Sequence, residues 1–428
     1  MPWIAMVVLA AAVFCLLPLA RNRGWYLMDE LLLRDALQSG ATVWDWSSFG
    51  RGDGLFYRPL GFGLLMLQLD LAGTPPAVHW LSLLHHAGNA LLFALLLRRL
   101  GLPPLVAGGV LLSAAAVEGV AWAAAMYDRS AVTCCLLSAI AVTSRGASAL
   151  LALPAFALAL CCKETAVTLP PIALLVVLGC RAAPGARWRR GVLVALTAMA
   201  LAFAMFRLAY AAPAPEYSMH LQGGEPLRLL RYLAFPFALG AQGPPTLWGT
   251  RWIPALTGLA VWIAAALGRP RLLVASVVAI AAPLVPVMAL PHVQANYLYP
   301  ATPGFALLFW AAWSGAAALP ARLGVVARIA VLAVVAMCCW HTRAVAAGYE
   351  RWGRALHNLA AQYRDLPPSP SPVVVSCPDP FLRNLTDILA AHVGRRGERP
   401  ALESVDAAAA EAADAALAFT VDGTLVRR

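Results

Sequence analysis

Apolar stretches separated by short polar or basic breaks repeat along most of the chain. Each is about 15–22 residues long, which is what a helix needs to cross the hydrocarbon core of a bilayer. The pattern predicts eleven transmembrane helices, at 3–20, 76–97, 103–123, 130–143, 147–162, 166–180, 191–212, 252–267, 272–290, 301–319 and 329–341. Backbone in lipid must satisfy its own hydrogen bonds, so such runs are helical. The first run, Trp3–Ala20, has no basic n-region and no small-x-small cleavage site, and reads as a span rather than a signal peptide. Two more apolar segments, Leu60–Ala72 and Leu227–Ala241, fit as helices lying on the outer face or dipping into it. If both crossed instead, everything between them would be inverted. Beyond residue 341 the pattern changes. "PPSPSP" (367–372) is a linker, "VVVSC" a strand, "FLRNLTDILAAHVG" a helix stopped by Gly394, and "AFTVDGTLVRR" a hairpin around Asp422-Gly423. The expected fold is an all-α polytopic membrane protein. About eleven transmembrane helices and amphipathic outer-loop helices occupy residues 1–341, and a small α/β C-terminal tail occupies 342–428.

Composition agrees. The chain is 61% hydrophobic and 12% charged, with a mean hydropathy of +0.72, which excludes an ordinary soluble protein. Its net charge of +11 does not point to nucleic acid, because the basic residues concentrate in one set of short loops. Those loops hold Arg98/Arg99, Arg145, Arg181/Arg187/Arg189/Arg190, Arg269/Arg271 and Arg322/Arg328, and contain no Asp or Glu. The positive-inside rule puts them and the N-terminus in the cytoplasm, and the long loops and the tail outside. Arg21 and Arg23, just past the first run, dissent from the five later loops. The Ala- and Arg-rich composition fits a bacterial inner membrane. Eight of nine cysteines fall in apolar runs, where they act as small hydrophobes, and no disulfide framework is implied.

Candidate chemistry collects on the outer side. Asp29 and Glu30 come just after the first span; Asp29 reads both as an N-cap and as a general base for an acceptor hydroxyl. Glu118 lies within the outer part of a span, where a carboxyl is costly. Asp128 and Arg129 read as a helix-end pair, or Asp128 as a second functional acid. His79, Ser82, His86 and Asn89 share one helix face, either bonding to other helices or lining a lipid-headgroup site. No Asp, Glu or Cys joins that stripe at metal-ligand spacing, which argues against a metal there and leaves a divalent-metal requirement open. Lys163 is the only lysine in the chain, and Glu164 is the next residue. The pair reads as a snorkelling lysine held by its neighbour, or as a cation presented to a phosphate. Arg58 and Arg207 offer further cations at the same level.

In order along residues 1–340, four segments resemble motifs of the polytopic GT-C glycosyltransferases. The relatives they resemble are the protein O-mannosyltransferases and the transmembrane O-mannosyltransferases that act on cadherins. The segments are "FYRPLGFGLLMLQLDLAGTPPAVHWLSLLHHAGNALLFALLLRRLG" (56–101), "AAAVEGVAWAAAMYDRSAV", "LALCCKETAVTLP" and "NYLYPATPGFALL". The resemblance implies sugar transfer from a polyprenyl-phosphate donor to an acceptor at the outer face. It implies Asp29, Glu30 and Asp128 as catalytic acids. Lys163, Glu164, Arg58, Arg207, His86, Asn89 and Tyr297 would bind donor phosphate or substrate. The implied partners are membrane lipid, the lipid-linked sugar and an acceptor of unspecified kind. This sequence departs from the family at Ala115 and Ala116, where relatives have His-Pro, and at Asn296, where they have arginine. It also lacks the tetratricopeptide array. A transporter or flippase of lipid-linked material, and an inactive partner subunit, are the alternatives.

Overall fold

A computed structural model describes residues 2–23, 58–179, 186–210, 225–237, 252–288, 290 and 294–365, together with strand residues 373–376, 402–405, 417–419 and 425–427. The helices are α1 (Pro2–Ala20), α2 (Pro59–Ala72), α3 (Pro75–Arg99), α4 (Gly108–Leu111), α5 (Ala114–Ala121), α6 (Met126–Val142) and α7 (Ala152–Cys162). They continue as α8 (Leu169–Gly179), α9 (Ala186–Tyr210), α10 (Glu225–Ala234), α11 (Trp252–Ala266), α12 (Pro270–Met288), α13 (Thr302–Ala316) and α14 (Ala321–Asp365). Every one of the eleven expected runs therefore contains helix. Among the described residues, five helices are long and apolar enough to cross a membrane, and six if the bent pair α4–α5 counts as one. The outward faces of α9 and α14 carry Val194, Leu201 and Leu208, and Val326, Ile329 and Trp340. Apolar surface on that scale belongs against lipid.

Two expectations change. The run at 103–123 is not one straight span: a 3-10 turn at Pro104–Ala107 leads into α4, and α5 departs from it at 62°. Ser113 makes the break, its side chain accepting from the Ala115 N–H to cap α5. The boundary placed at 341/342 falls inside α14, which runs unbroken for 45 residues. The residues after 341 are polar enough to read as tail, but buried Val345, Ala346 and Tyr349 continue an apolar stripe. α14 packs along α1 and runs in the same direction. Cys15 Sγ donates to the Cys339 carbonyl at 3.3 Å, Arg343 stacks on the Phe14 ring at 4.0 Å, and Gly353 lies against Asn22.

Turns are cut by local chemistry. α2 ends where Gly73 takes φ 63° and returns its N–H to Leu69, and Thr74-Pro75 starts α3 at once. α10 covers the start of the expected segment Leu227–Ala241, and a 3-10 turn at Phe235–Phe237 succeeds it; 238–241 lie outside the described residues. Four strands form one sheet in the order β2-β1-β3-β4, with β1 (Val373–Ser376), β2 (Leu402–Val405), β3 (Leu417–Phe419) and β4 (Leu425–Arg427). β1 pairs parallel with β2 and β3, and β3 pairs antiparallel with β4. The expected helix ending at Gly394 and the turn at Asp422-Gly423 lie outside the described residues.

Small residues let backbones meet, as membrane helices require. A Cβ on Gly304 of α13 would lie 2.7 Å from the Ile280 nitrogen and 2.8 Å from the Ala279 carbonyl carbon of α12, atoms that cannot swing aside. Gly304→Ala should therefore cost about 1–3 kcal/mol and lower the thermal midpoint in detergent. Gly88→Ala, with open space around the new methyl, should leave it unchanged; equal midpoints for the two variants would refute this account of the α12–α13 contact.

Candidate functional site

The bend at α5 and the 3-10 turn at Ala123–Ala125 deliver the N-terminus of α6 into the interior, with Asp128 in its first turn. α7 ends at Cys162, and Lys163 is its C-cap. Helix dipoles favour both choices: a carboxylate at an N-terminus and an ammonium at a C-terminus. The two meet. Lys163 Nζ lies 2.5 Å from Asp128 Oδ2, and both side chains are sealed, at 4% and 1% exposure. Lys163 also stands over the Tyr297 ring at 5.2 Å, a cation–π contact supplied by the 3-10 segment Ala295–Ala301. Burial pushes the Lys163 ammonium below the usual lysine range; the Asp128 carboxylate opposes that push, and nearby Arg58 adds to it.

A second ion cluster lies beside the first. Arg58, the residue before α2, donates through Nε to both oxygens of Glu164, at 3.2 and 2.9 Å, and its Nη2 is 2.8 Å from Oε2. Arg207, from the last turn of α9, approaches Oε1 at 3.8 Å. Arg58 also lies 5.3 Å from the centroid of the Tyr127 ring. The "YRPLG" stretch explains this placement. Pro59 opens the helix, and Gly61 lets it press on α7, because a Cβ there would come 2.7 Å from the Cys162 carbonyl. Arg58 is thereby fixed against the residue next to Lys163. Against the cost of burial, the Arg58 guanidinium holds the Glu164 carboxyl below the usual carboxylate range. Arg58, Glu164 and Arg207 remain 13%, 21% and 19% exposed, so the cluster opens outward from the sealed pair.

Several sequence readings are corrected here. Glu164 does not hold Lys163; Asp128 does, from 35 residues away, while Glu164 serves Arg58 and Arg207. Lys163 does not snorkel, since its head is buried. Asp128 and Arg129 are not a pair. Arg129 is fully buried and turns back, donating to the Gly119, Trp122 (3.1 Å) and Ala123 (3.1 Å) carbonyls and to Gln68 Oε1 (3.4 Å). It satisfies the carbonyls left open where α5 ends. The stripe on α3 bonds to other helices. His86 Nδ1 and Asn89 Nδ2 each lie 3.0 Å from the Tyr299 hydroxyl, Asn89 also donates to the Arg129 carbonyl, and Gln68 Nε2 donates to Ser82. Asp29 and Glu30 lie outside the described residues. The sequence reading missed Tyr127 and Tyr299, and it gave Arg129 the wrong partner. Arg129 had one usable signal, an arginine in an apolar setting with no basic neighbour.

Among the described residues, no group of three or more His, Cys, Asp or Glu side chains is arranged to hold a metal. Replacing one member of the sealed pair should be costly, about 3–5 kcal/mol, because it strands a buried charge. Asp128→Asn and Lys163→Met should each lower the thermal midpoint strongly, and the double variant should lose much less than their sum. Additive losses in that double-mutant cycle would rule the pairing out.

No family model matches the chain, and no curated protein matches it. Among solved structures, the crystal structure of ArnT from Cupriavidus metallidurans bound to undecaprenyl phosphate is similar at a TM-score of 0.45 and 15% identity, over 95% of this chain and 86% of that one.

Proposed function

We propose that this chain is a membrane glycosyltransferase that moves a sugar from a polyprenyl-phosphate-linked donor to an acceptor on the extracytoplasmic face. One observation carries the reading. Arg58, Asp128, Lys163-Glu164 and Tyr297 belong to four segments scattered over some 240 positions, the same four that resemble glycosyltransferase motifs, and they meet in one cluster. Chance polar residues in membrane helices seldom converge with three cations and two carboxylates at one place.

The cluster suits phosphate chemistry. As the acceptor hydroxyl attacks the anomeric carbon, the bond from that carbon to the phosphate oxygen breaks and its electron pair stays on the phosphate. Arg58 and Arg207 stand where they stabilise that charge as it develops. Lys163, held by Asp128, adds positive potential from beneath. Asp29 takes the hydroxyl proton in this scheme. The polyprenyl chain of the donor lies between apolar helix faces.

An inactive partner subunit is the second reading, favoured by Asn296. Where relatives carry an arginine, this side chain is neutral and buried. Reconstitution decides between them. Wild-type protein in liposomes should transfer sugar from an undecaprenyl-phosphate donor. Asp29→Asn should lower the rate by about 100-fold or more, and Lys163→Ala should lower it severely. Full transfer by Asp29→Asn would remove the base assignment, and no transfer by any form across a panel of donors would leave the inactive reading standing.

A further inference from the structure

Glu164 is unlike the other acid of the cluster. Asp128 is sealed and paired with Lys163, whereas Glu164 is a fifth exposed and sits between two guanidiniums, one from the residue before α2 and one from α9. Arg58 grips it with two nitrogens, and Arg207 stands 3.8 Å away, beyond ordinary hydrogen-bond length. Two arginines converging on a planar pair of oxygens is the geometry that recognises a phosphate as well as a carboxylate. Among the described residues, Glu164 is the carboxylate that Arg58 and Arg207 share, and Asp128 is the one that Lys163 contacts. Glu164 also opens a 3-10 turn next to Lys163, whose backbone is extended (φ −158°, ψ 144°), at the open edge of the cluster.

We propose that Glu164 is a resident counter-ion: its carboxylate fills the place between Arg58 and Arg207 that the phosphate of a lipid-linked substrate takes on binding. This rests on the transferase reading for the identity of the lipid and on geometry for the exchange itself. A sugar phosphodiester carries one negative charge, so it replaces the carboxylate charge for charge and no cation is left bare in a low-dielectric site. After transfer the lipid product is a phosphate monoester with greater charge. The returning carboxylate then competes with the product for the same two arginines and favours its release. The empty protein meanwhile keeps its arginines neutralised and does not hold ordinary anionic lipid tightly.

Full-length protein in nanodiscs of neutral lipid tests this by direct binding of undecaprenyl phosphate, undecaprenol, phosphatidylglycerol and inorganic phosphate. Glu164→Gln should bind undecaprenyl phosphate about tenfold more tightly than wild type, and its preference over phosphatidylglycerol should narrow. Glu164→Asp, which keeps the charge but draws it back by one methylene, should tighten binding by a smaller factor. Arg58→Gln and Arg207→Gln should each weaken it about tenfold. Undecaprenol binding should not change in any variant. If Glu164→Gln is too unstable to measure, the Glu164→Asp result decides. Binding by the glutamate variants equal to or weaker than wild type overturns the proposal, since it makes Glu164 a structural partner of Arg58. If wild type ignores undecaprenyl phosphate but binds phosphatidylglycerol or inorganic phosphate, and Glu164→Gln tightens that binding, the counter-ion role stands and the lipid-linked donor falls.

Discussion

A charge taken out of water must find an opposite charge or a full set of hydrogen bonds, and this rule organises the molecule around Lys163 and Asp128. The ion pair is buried to within a few per cent, so each member needs the other held at contact distance. Everything nearby serves that distance. The bend between α4 and α5 brings the start of α6 inward. Arg129 then ties the carbonyls at the end of α5 back to α6, one residue from Asp128. On the other side Gly61 lets α2 rest on the last carbonyl of α7, one residue before Lys163. Tyr297 covers the ammonium from above with an apolar ring whose face still attracts a cation.

The polar stripe of α3 works to the same end by another route. His86, Asn89, Thr133 and Tyr299 form a connected network, and Asn89 reaches the carbonyl of Arg129 itself. Gly119 admits the Tyr299 ring, since a Cβ there would meet it at 2.5 Å. Hydrogen-bonded groups in a membrane core restrict how helices slide and rotate. The network thus fixes α3, α6 and the segment at 295–301 against one another behind the ion pair, while Arg58, Glu164 and Arg207 remain the more exposed cluster.

Which parts were legible beforehand depends on the physics of each signal. Long apolar runs are local, so the helices at 75–99, 186–210 and 270–288 fall close to the expected positions. The break at 111–114 is hidden because Leu111, Leu112 and Ala114 surround the single Ser113, so the whole run reads as one apolar span. The end of α14 is hidden because amphipathic helix and polar tail share a composition, and only the buried stripe separates them. The residues of the cluster stand out individually, as charges in an apolar setting. Their partnerships do not. Lys163 and Glu164 are adjacent in sequence, yet Lys163, in extended backbone at the end of a helix, and Glu164, at the start of the next turn, reach different partners. Partnership across 35 or 106 positions depends on packing that no local pattern encodes.

The parallel course of α1 and α14 has a consequence for parity. Two helices that point the same way, wherever both cross a membrane, require an odd total of crossings between and including them. The chain then leaves both at the same side. The stretch carrying Asp29 and Glu30 comes directly after α1, and the four-stranded sheet comes after α14. Wherever both helices cross a membrane, the chain therefore enters the stretch after α1 and the sheet after α14 from the same face of it.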